Sequence, residues 1–411
     1  MKITDIEVIP IAPRLASRYA DRRVDLYGID CRVVYKVHTD AGITGYGDVR
    51  VRPHGLPERD AVAHLIGRNP FDFLNSTLTV GGTALTCALY DVMGKYLDLP
   101  VHKLLGQKKR ANIPVAAWTR PASPEHFRDE IKRAADQGYR VFKIHTCSYH
   151  DVFEQTRLAA EVAPQSFRIH YDFNHNRSLG SALPIIKELE RNHPIVGYIE
   201  DPLDKRDIDG WKRLRQQIDL PLIMHGTPLG GVQELIHGLA DIYMIGGTME
   251  DTMAAGWACG KANLQVILQF EGGTLGKAMA LHMASVLPTH TAHSINLDDQ
   301  YGEDYTTATI PVVEGASPVP DGPGLGFAVD EDALARLAAQ AIVEKPPHVG
   351  VLHMPGGRTY YGPSYISPTA ITGHQEGVDR GFRAEIWEDD GSAEFARTYD
   401  RVKKEGVFCQ I

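Results

Sequence analysis

The chain has 411 residues, 43% of them hydrophobic and 23% charged, a globular composition that excludes a disordered or fibrous polypeptide. Its 43 basic and 52 acidic side chains give a formal charge of −9 without any long Lys/Arg run, which argues against nucleic-acid binding. Five cysteines (Cys31, Cys87, Cys147, Cys259 and Cys409) lack CxxC spacing, so neither a disulfide framework nor a structural zinc site is expected. No apolar run is long enough for a membrane span and the N-terminus lacks a signal-peptide layout, so a cytoplasmic protein with no membrane partner is expected.

Residues 3–11 alternate in polarity, and residues 32–38 read as a strand running into the turn signal Asp40-Ala-Gly42. Residues 1–50 therefore predict a β-meander, with a polar, aromatic loop over 14–29. Leu85, Leu89, Val92, Met93 and Tyr96 share one face of a helix over 83–97.

From residue 113, short β-rich runs alternate with amphipathic helices, the pattern of parallel βα units. Eight strands are expected, over 113–118, 139–146, 168–174, 196–202, 221–226, 240–246, 264–270 and 294–298. Each interval suits one strand–helix unit, so the pattern predicts a (β/α)8-type barrel. Beyond Gly326 come a short helix over 333–342 behind Asp330-Glu-Asp332, a Pro-, Gly- and Tyr-rich stretch over 345–375, a strand over 382–388 and a helix over 392–404. This tail is expected to pack on the first domain.

In a barrel enzyme the catalytic groups sit at the C-terminal ends of the strands. Four ends carry charge here: Lys143-Ile-His145, Asp172-Phe-Asn174, Glu200-Asp201-Pro202 and Asp298-Asp299. Period-two spacing places Lys143 with His145, and Asp172 with Asn174, on one side of their strands. Acids on adjacent strands suit a hard divalent cation. Such a cation would lower the pKa of Lys143 and make it a base. A lysine at the barrel mouth contributes little packing, so its loss is expected to change stability only slightly. Strands leaving a core often carry charge at their ends, but four such ends at barrel spacing make that reading the weaker one.

These stretches resemble the mandelate racemase/muconate lactonising branch of the enolase superfamily. Residues 84–106 are similar to the helix of its capping domain. Lys143-Ile-His145 resembles its Lys-x-Lys base motif, Asp172-Phe-Asn174 its Asp-x-Asn and Ile199-Glu-Asp-Pro202 its Ile-Glu-x-Pro. Gly276-Lys-Ala-Met-Ala-Leu-His-Met-Ala284 resembles its seventh barrel helix, and Gly322-Pro-Gly-Leu-Gly326 the segment closing its barrel. The resemblance implies an α/β fold, with an α+β capping domain (1–112), a modified (β/α)7β TIM-like barrel (113–326) and a C-terminal extension (327–411) on the capping domain or at an interface. It implies removal of a proton α to a carboxylate, with one divalent cation, Mg²⁺ by resemblance, held by Asp172 and Glu200. It also implies a homo-oligomer.

The departures matter as much. Where the family places an acid after strand five, the chain reads Met224-His225-Gly226-Thr227. His225 is either a third ligand, which would shift preference toward Mn²⁺, Zn²⁺ or Ni²⁺, a substrate contact or a filler of the barrel mouth. Gln269 and Gly246 stand where racemase-type members carry their His–Asp dyad, and residues 241–247 lack the lysine of muconate-type members. Glu271 and Asp298 are candidate acids, with an ordinary place in the barrel mouth as the alternative. Tyr19, Arg22, Arg23 and Tyr27, with Arg50, Arg52 and His54, resemble the family's specificity loops and would suit a small anionic substrate. Arg23, Tyr27, His54, Asn174 and Gln269 are the substrate-binding candidates; Arg14 and Arg18 read as solvated surface.

The reading that follows is a lyase dehydrating a hydroxy-acid or sugar acid, with Lys143 or His145 as base. A base set on one face favours elimination, because inversion needs groups on both faces. An epimerase, racemase or cycloisomerase using Glu271 or Asp298 is the second reading, and a catalytically inactive ligand-binding homologue the third.

Overall fold

A computed structural model describes residues 1–51, 59–75, 81–226 and 232–410. The first unit is an antiparallel sheet of β1 (Ile3–Ile11), β2 (Arg32–Thr39) and β3 (Thr44–Arg50), in that order. Helix Gly82–Leu97 lies directly on β3. Two glycines permit this approach: a Cβ on Gly45 would come within 2.3 Å of the Ala88 carbonyl oxygen, and one on Gly47 within 2.1 Å of that of Ala84.

Eight parallel strands follow: β4 (Asn112–Thr119), β5 (Val141–His145), β6 (Arg168–Asp172), β7 (Val196–Glu200), β8 (Leu222–His225), β9 (Ile242–Ile245), β10 (Gln265–Phe270) and β11 (Ser294–Asn296). They pair in chain order, and β11 returns to β4 through Ser294–Val115 and Ile295–Ala116, closing the barrel. All eight expected barrel strands are present. A ninth strand, β12 (Ala316–Pro318), runs antiparallel to β4.

The barrel has two apolar layers, and strand parity decides which residue joins which. Phe127, Phe142, Tyr171 and Trp211 belong to the shell between strands and helices. Trp118, Ile223, Met244, Ile267 and Ile295 form a second cluster, joined by Val141 and Tyr198. Counting by twos from Val141, Tyr198, Ile223 and Ile267 reaches Lys143 and His145, Glu200, His225 and Gln269. The polar ends therefore continue the interior face of the barrel.

The cap is pinned to the barrel near the mouth. The Asp48 carboxylate accepts from the backbone N–H groups of Gly273 and Gly276 at the start of helix Thr274–Val286, and pairs with the buried Arg32. Arg50 N–H donates to the Glu271 carbonyl at 2.7 Å.

The tail divides its contacts. Helix Glu331–Ala339 packs against β1, and Glu331 binds Tyr46 and Lys36 of the cap. Beyond it, β13 (His348–His353), β14 (Thr359–Gly362), β15 (Arg383–Glu388) and β16 (Phe408–Gln410) form a separate sheet in the order β15-β13-β14-β16. This sheet unit docks on barrel loops: Tyr365 stacks on Tyr149 at 4.3 Å, Gly381 N–H donates to Asp151, and Glu376 binds Arg177. Among the described residues its hydrogen bonds to the cap segment are Glu388 with the Val24 N–H and Tyr365 with Asp25. Packing on the first domain therefore describes residues 331–339, whereas the sheet unit rests chiefly on the barrel.

Candidate active site

Lys143 is the hub of the barrel mouth. Its amino group lies 3.1 Å from Asp172 Oδ2 and 2.8 Å from Glu200 Oε2, and donates to Gln269 Oε1 at 3.2 Å. Only 1% of the residue is exposed. Burial favours the neutral amine, but Glu200 and Asp172 outweigh it and hold the pKa above its ordinary value. The lowering expected of Lys143 belongs to a site that holds a cation; among the protein groups alone, two carboxylates outweigh desolvation and Lys143 is a buried cation.

Glu200 is fully buried. Burial opposes its charge, yet Lys143, His170 and His225 outweigh that penalty and keep its carboxyl well below the usual range. His170 Nε2 lies 2.6 Å from Glu200 Oε2, and its other ring nitrogen is 2.8 Å from His293 Nε2. These two histidines form a floor beneath Glu200. Their residue type and inward parity were readable, but their pairing across β6 and the turn before β11 was not.

His145 has its side chain 25% exposed, with Nε2 3.6 Å from Asp172 Oδ2, and the Trp118 ring stands edge-on at 5.9 Å. Burial, aided by the Lys143 charge, lowers its pKa against the pull of Asp172. A neutral imidazole facing the mouth is a competent proton acceptor. Asn174, at φ 53°, donates its backbone N–H to Asp172 Oδ1 at 2.8 Å and its side chain bonds His145.

His225 Nδ1 lies 3.3 Å from Glu200 Oε1. Glu200, Asp201 and His225 each offer a ligand atom within 4.8 Å of the others. Asp201 stands at the charged end of β7, where the sequence alone assigns it no role. It sits at φ 44°, accepts the His225 backbone N–H at 3.0 Å and pairs with Lys205 at 3.0 Å. Burial and the neighbouring Glu200 raise its pKa to about 6. Two carboxylates and an imidazole, with Asp172 across the Lys143 amino group, are a donor set that fits a divalent cation, and the nitrogen suits a softer metal than Mg²⁺.

Other expected residues go elsewhere. Glu271 is held by Arg50, whose Nη2 lies 2.5 Å from its Oε2, and accepts from Gln269 at 3.3 Å. Asp298 is taken by Lys277 at 2.9 Å, so both candidate acids are occupied by cations. Arg23 points to solvent, while Arg22 is buried and binds Thr119 and the Pro121 carbonyl: in the 3-10 turn Ser17–Arg22 the inward residue is the one before. Tyr27 offers its carbonyl to Arg120. Arg18 is no solvated residue; it pairs with Glu130 and Asp299. His54, Arg52 and Thr227 lie outside the described residues.

A capped barrel with this constellation at its mouth defines an enolase-superfamily barrel protein. The chain belongs to the mandelate racemase/muconate lactonising branch of that superfamily: a family model described as enolase C-terminal domain-like matches residues 126–333. It is 28% identical over 246 residues to an N-succinyl-L-Arg/Lys racemase of Bacillus cereus, covering 54% of this chain and 66% of the relative, just under two thirds. It is 26% identical over 380 residues to a D-gluconate dehydratase of Thermoproteus tenax (81% and 74%), and 28% identical over 216 residues to a D-galactonate dehydratase of Pectobacterium atrosepticum (46% and 56%). Among solved structures, that of the Bacillus cereus racemase superposes with a TM-score of 0.68 at 22% identity, covering 83% of this chain and 99% of the other. Muconate lactonising enzyme from Pseudomonas putida gives 0.68 at 21% identity, covering 82% and 99%. Among the described residues no helix is long and apolar enough to cross a membrane.

Proposed function

We propose that the protein is a metal-assisted dehydratase of hydroxy-acids, sugar acids above all. The observation that carries this reading is the one-sided base set. His145 faces the mouth with a lowered pKa, whereas Glu271 and Asp298 are neutralised by Arg50 and Lys277 and Gln269 is bound to Lys143. Inverting a stereocentre takes a base on each face; eliminating water takes one group that first accepts and then returns a proton.

His145 takes the proton α to the carboxylate, the bond to the β-hydroxyl breaks, and the imidazolium gives that proton to the departing oxygen. Water and an enol result, and the enol becomes a 2-keto-3-deoxy acid. Lys143 holds positive charge beside the carboxylate end, and Asn174 orients His145. A divalent cation held by Glu200 with His225, Asp201 or Asp172 would supply Lewis-acid stabilisation of the charge developing on the substrate carboxylate. The acid-sugar relatives support the substrate class.

One observation favours a second reading. The Lys143 ammonium already bridges Asp172 and Glu200, so a site in which it replaces the cation would bind a carboxylate without turning it over. Titration calorimetry with Mn²⁺, followed by assay of D-gluconate and D-galactonate for keto-acid formation, separates the two. Metal binding with keto-acid release supports the dehydratase; no metal binding and no turnover support the ligand-binding homologue.

A further inference from the structure

A cavity of about 730 Å³ opens between the loops after β5 and β6 and the segment 367–376 of the C-terminal sheet unit. Two of its lining residues adjoin the base candidate His145. Thr146 follows His145 directly, Asn174 bonds His145, and both line the cavity. Thr369, Gln375 and Glu376 supply the wall on the tail side.

Three polar atoms on residues of this wall are buried without a hydrogen-bond partner: Thr146 Oγ1, Arg177 Nε and Glu376 Oε1. Thr146 is 3% exposed, and the Arg177 side chain 5%. Native interiors rarely leave such groups unmet, because each loses its hydration without replacement. Here a donor, an acceptor and a hydroxyl are unmet at one wall. The rest of Arg177 is fully committed: Nη1 donates to the Phe173 carbonyl and Asn176, Nη2 binds Glu376, and the guanidinium lies over the Phe173 ring at 4.5 Å.

The wall also has a distinct chemistry. Arg177 and Glu376 neutralise each other and, among the described residues, no other charged group lines the cavity; four serines, Thr146, Thr369, Asn174, Asn176 and Gln375 make up most of the remainder. Hydroxyls and amides without net charge match a chain that is uncharged and rich in hydroxyls.

We infer that this cavity is a subsite for the polyhydroxylated end of a sugar acid, and that the C-terminal sheet unit completes it. The inference rests on the dehydratase reading for the direction in which substrate lies: carboxylate toward Lys143 and His145, hydroxylated chain toward Thr369 and Gln375. The three unmet atoms are closed to solvent, so the Arg177–Glu376 pair turns aside as the chain enters and its hydroxyls take up the free donor and acceptor. Substrate length is thereby read by a unit outside the barrel.

The test is calorimetric binding of D-gluconate, D-galactonate and the short hydroxy-acid glycerate to the full chain, in the presence of Mn²⁺. Gln375 is exposed and Thr369 half-buried, so Thr369→Val with Gln375→Leu leaves the fold intact, which circular dichroism and the melting temperature verify. The subsite predicts that hexonates bind the wild type more tightly than glycerate. It also predicts that the double variant loses hexonate affinity by about tenfold or more while glycerate affinity stays within about twofold. Ser181→Ala, on the barrel side of the cavity, gives a second variant with the same expected pattern. Equal weakening of both ligands, unchanged hexonate affinity in the variants, or hexonate binding no tighter than glycerate overturns the subsite. Hexonate binding that follows the expected pattern without any keto-acid formation keeps the subsite and overturns the dehydratase reading instead.

Discussion

Lys143 Nζ lies 2.8 Å from Glu200 Oε2, with both side chains closed to solvent. This pair sets the electrostatics of the mouth: it keeps one carboxylate ionised in the barrel interior and holds the lysine as a cation. It also argues against the expectation that losing Lys143 changes stability only slightly, since removing one partner strands a buried charge.

Lys143→Met should therefore lower the stability of the metal-free protein by about 3–5 kcal/mol, the range for breaking a buried pair. Saturating Mn²⁺ should restore part of that loss by replacing the missing positive charge. Thermal unfolding with and without Mn²⁺ reads both effects. An unchanged melting temperature in the metal-free variant would show that Glu200 and Asp172 do not depend on Lys143.

His145→Asn should cut turnover by about 10²–10⁴-fold, the range expected for loss of a general base. Its melting temperature should stay near that of the wild type, because the side chain is partly exposed and makes only one ion contact. Wild-type activity in this variant would remove His145 from the mechanism.

His225→Ala separates two roles for one imidazole. As a ligand, His225 gives a metal affinity that falls when it is removed and a preference for Mn²⁺, Zn²⁺ or Ni²⁺ over Mg²⁺. As a substrate contact, it gives weaker substrate binding at unchanged metal affinity. The 3.3 Å separation from Glu200 favours the first outcome; unchanged metal affinity by calorimetry would defeat it.

Acid should also destabilise the fold through buried histidines that take no part in this chemistry. Burial pushes the pKa values of His150, His282 and His290 down to about 3, against about 6.5 in an unfolded chain. Below about pH 6.5 the unfolded state binds protons that the folded state refuses. Stability is thus complete above that pH and declines as pH falls toward 3, by up to about 1.4 kcal/mol per pH unit for each histidine. His282→Gln keeps an acceptor for the His102 N–H and should flatten the slope by about one proton. Denaturant unfolding at several pH values measures it, and an unaltered slope would place the acid sensitivity elsewhere.

The barrel was legible because each strand is a short apolar run with a turn signal, and parity placed Lys143 with His145, and Asp172 with Asn174, on one side of their strands. Their pairing was not legible. Whether Lys143 is a free amine or a buried cation depends on Glu200, two strands away and fixed only once the barrel closes. The fate of Glu271 and Asp298 likewise hangs on Arg50 from the cap and Lys277 from a helix. In the tail, β13 and β14 were hidden by glycine. Gly350 sits where a Cβ would strike the Ser364 carbonyl oxygen, so a residue that weakens a strand pattern is there the one that lets the chain pack.

In the proposed reaction a single base, acting on one face, expels water. The most direct measurement is ¹H NMR of D-gluconate and D-galactonate incubated in D₂O with the Mg²⁺-loaded protein. A base on one face gives a 2-keto-3-deoxy acid from at least one of them, with no C2 epimer and no deuterium at C2 of recovered substrate beyond that in a His145→Asn control. Accumulation of the C2 epimer carrying deuterium, without keto-acid, would contradict it.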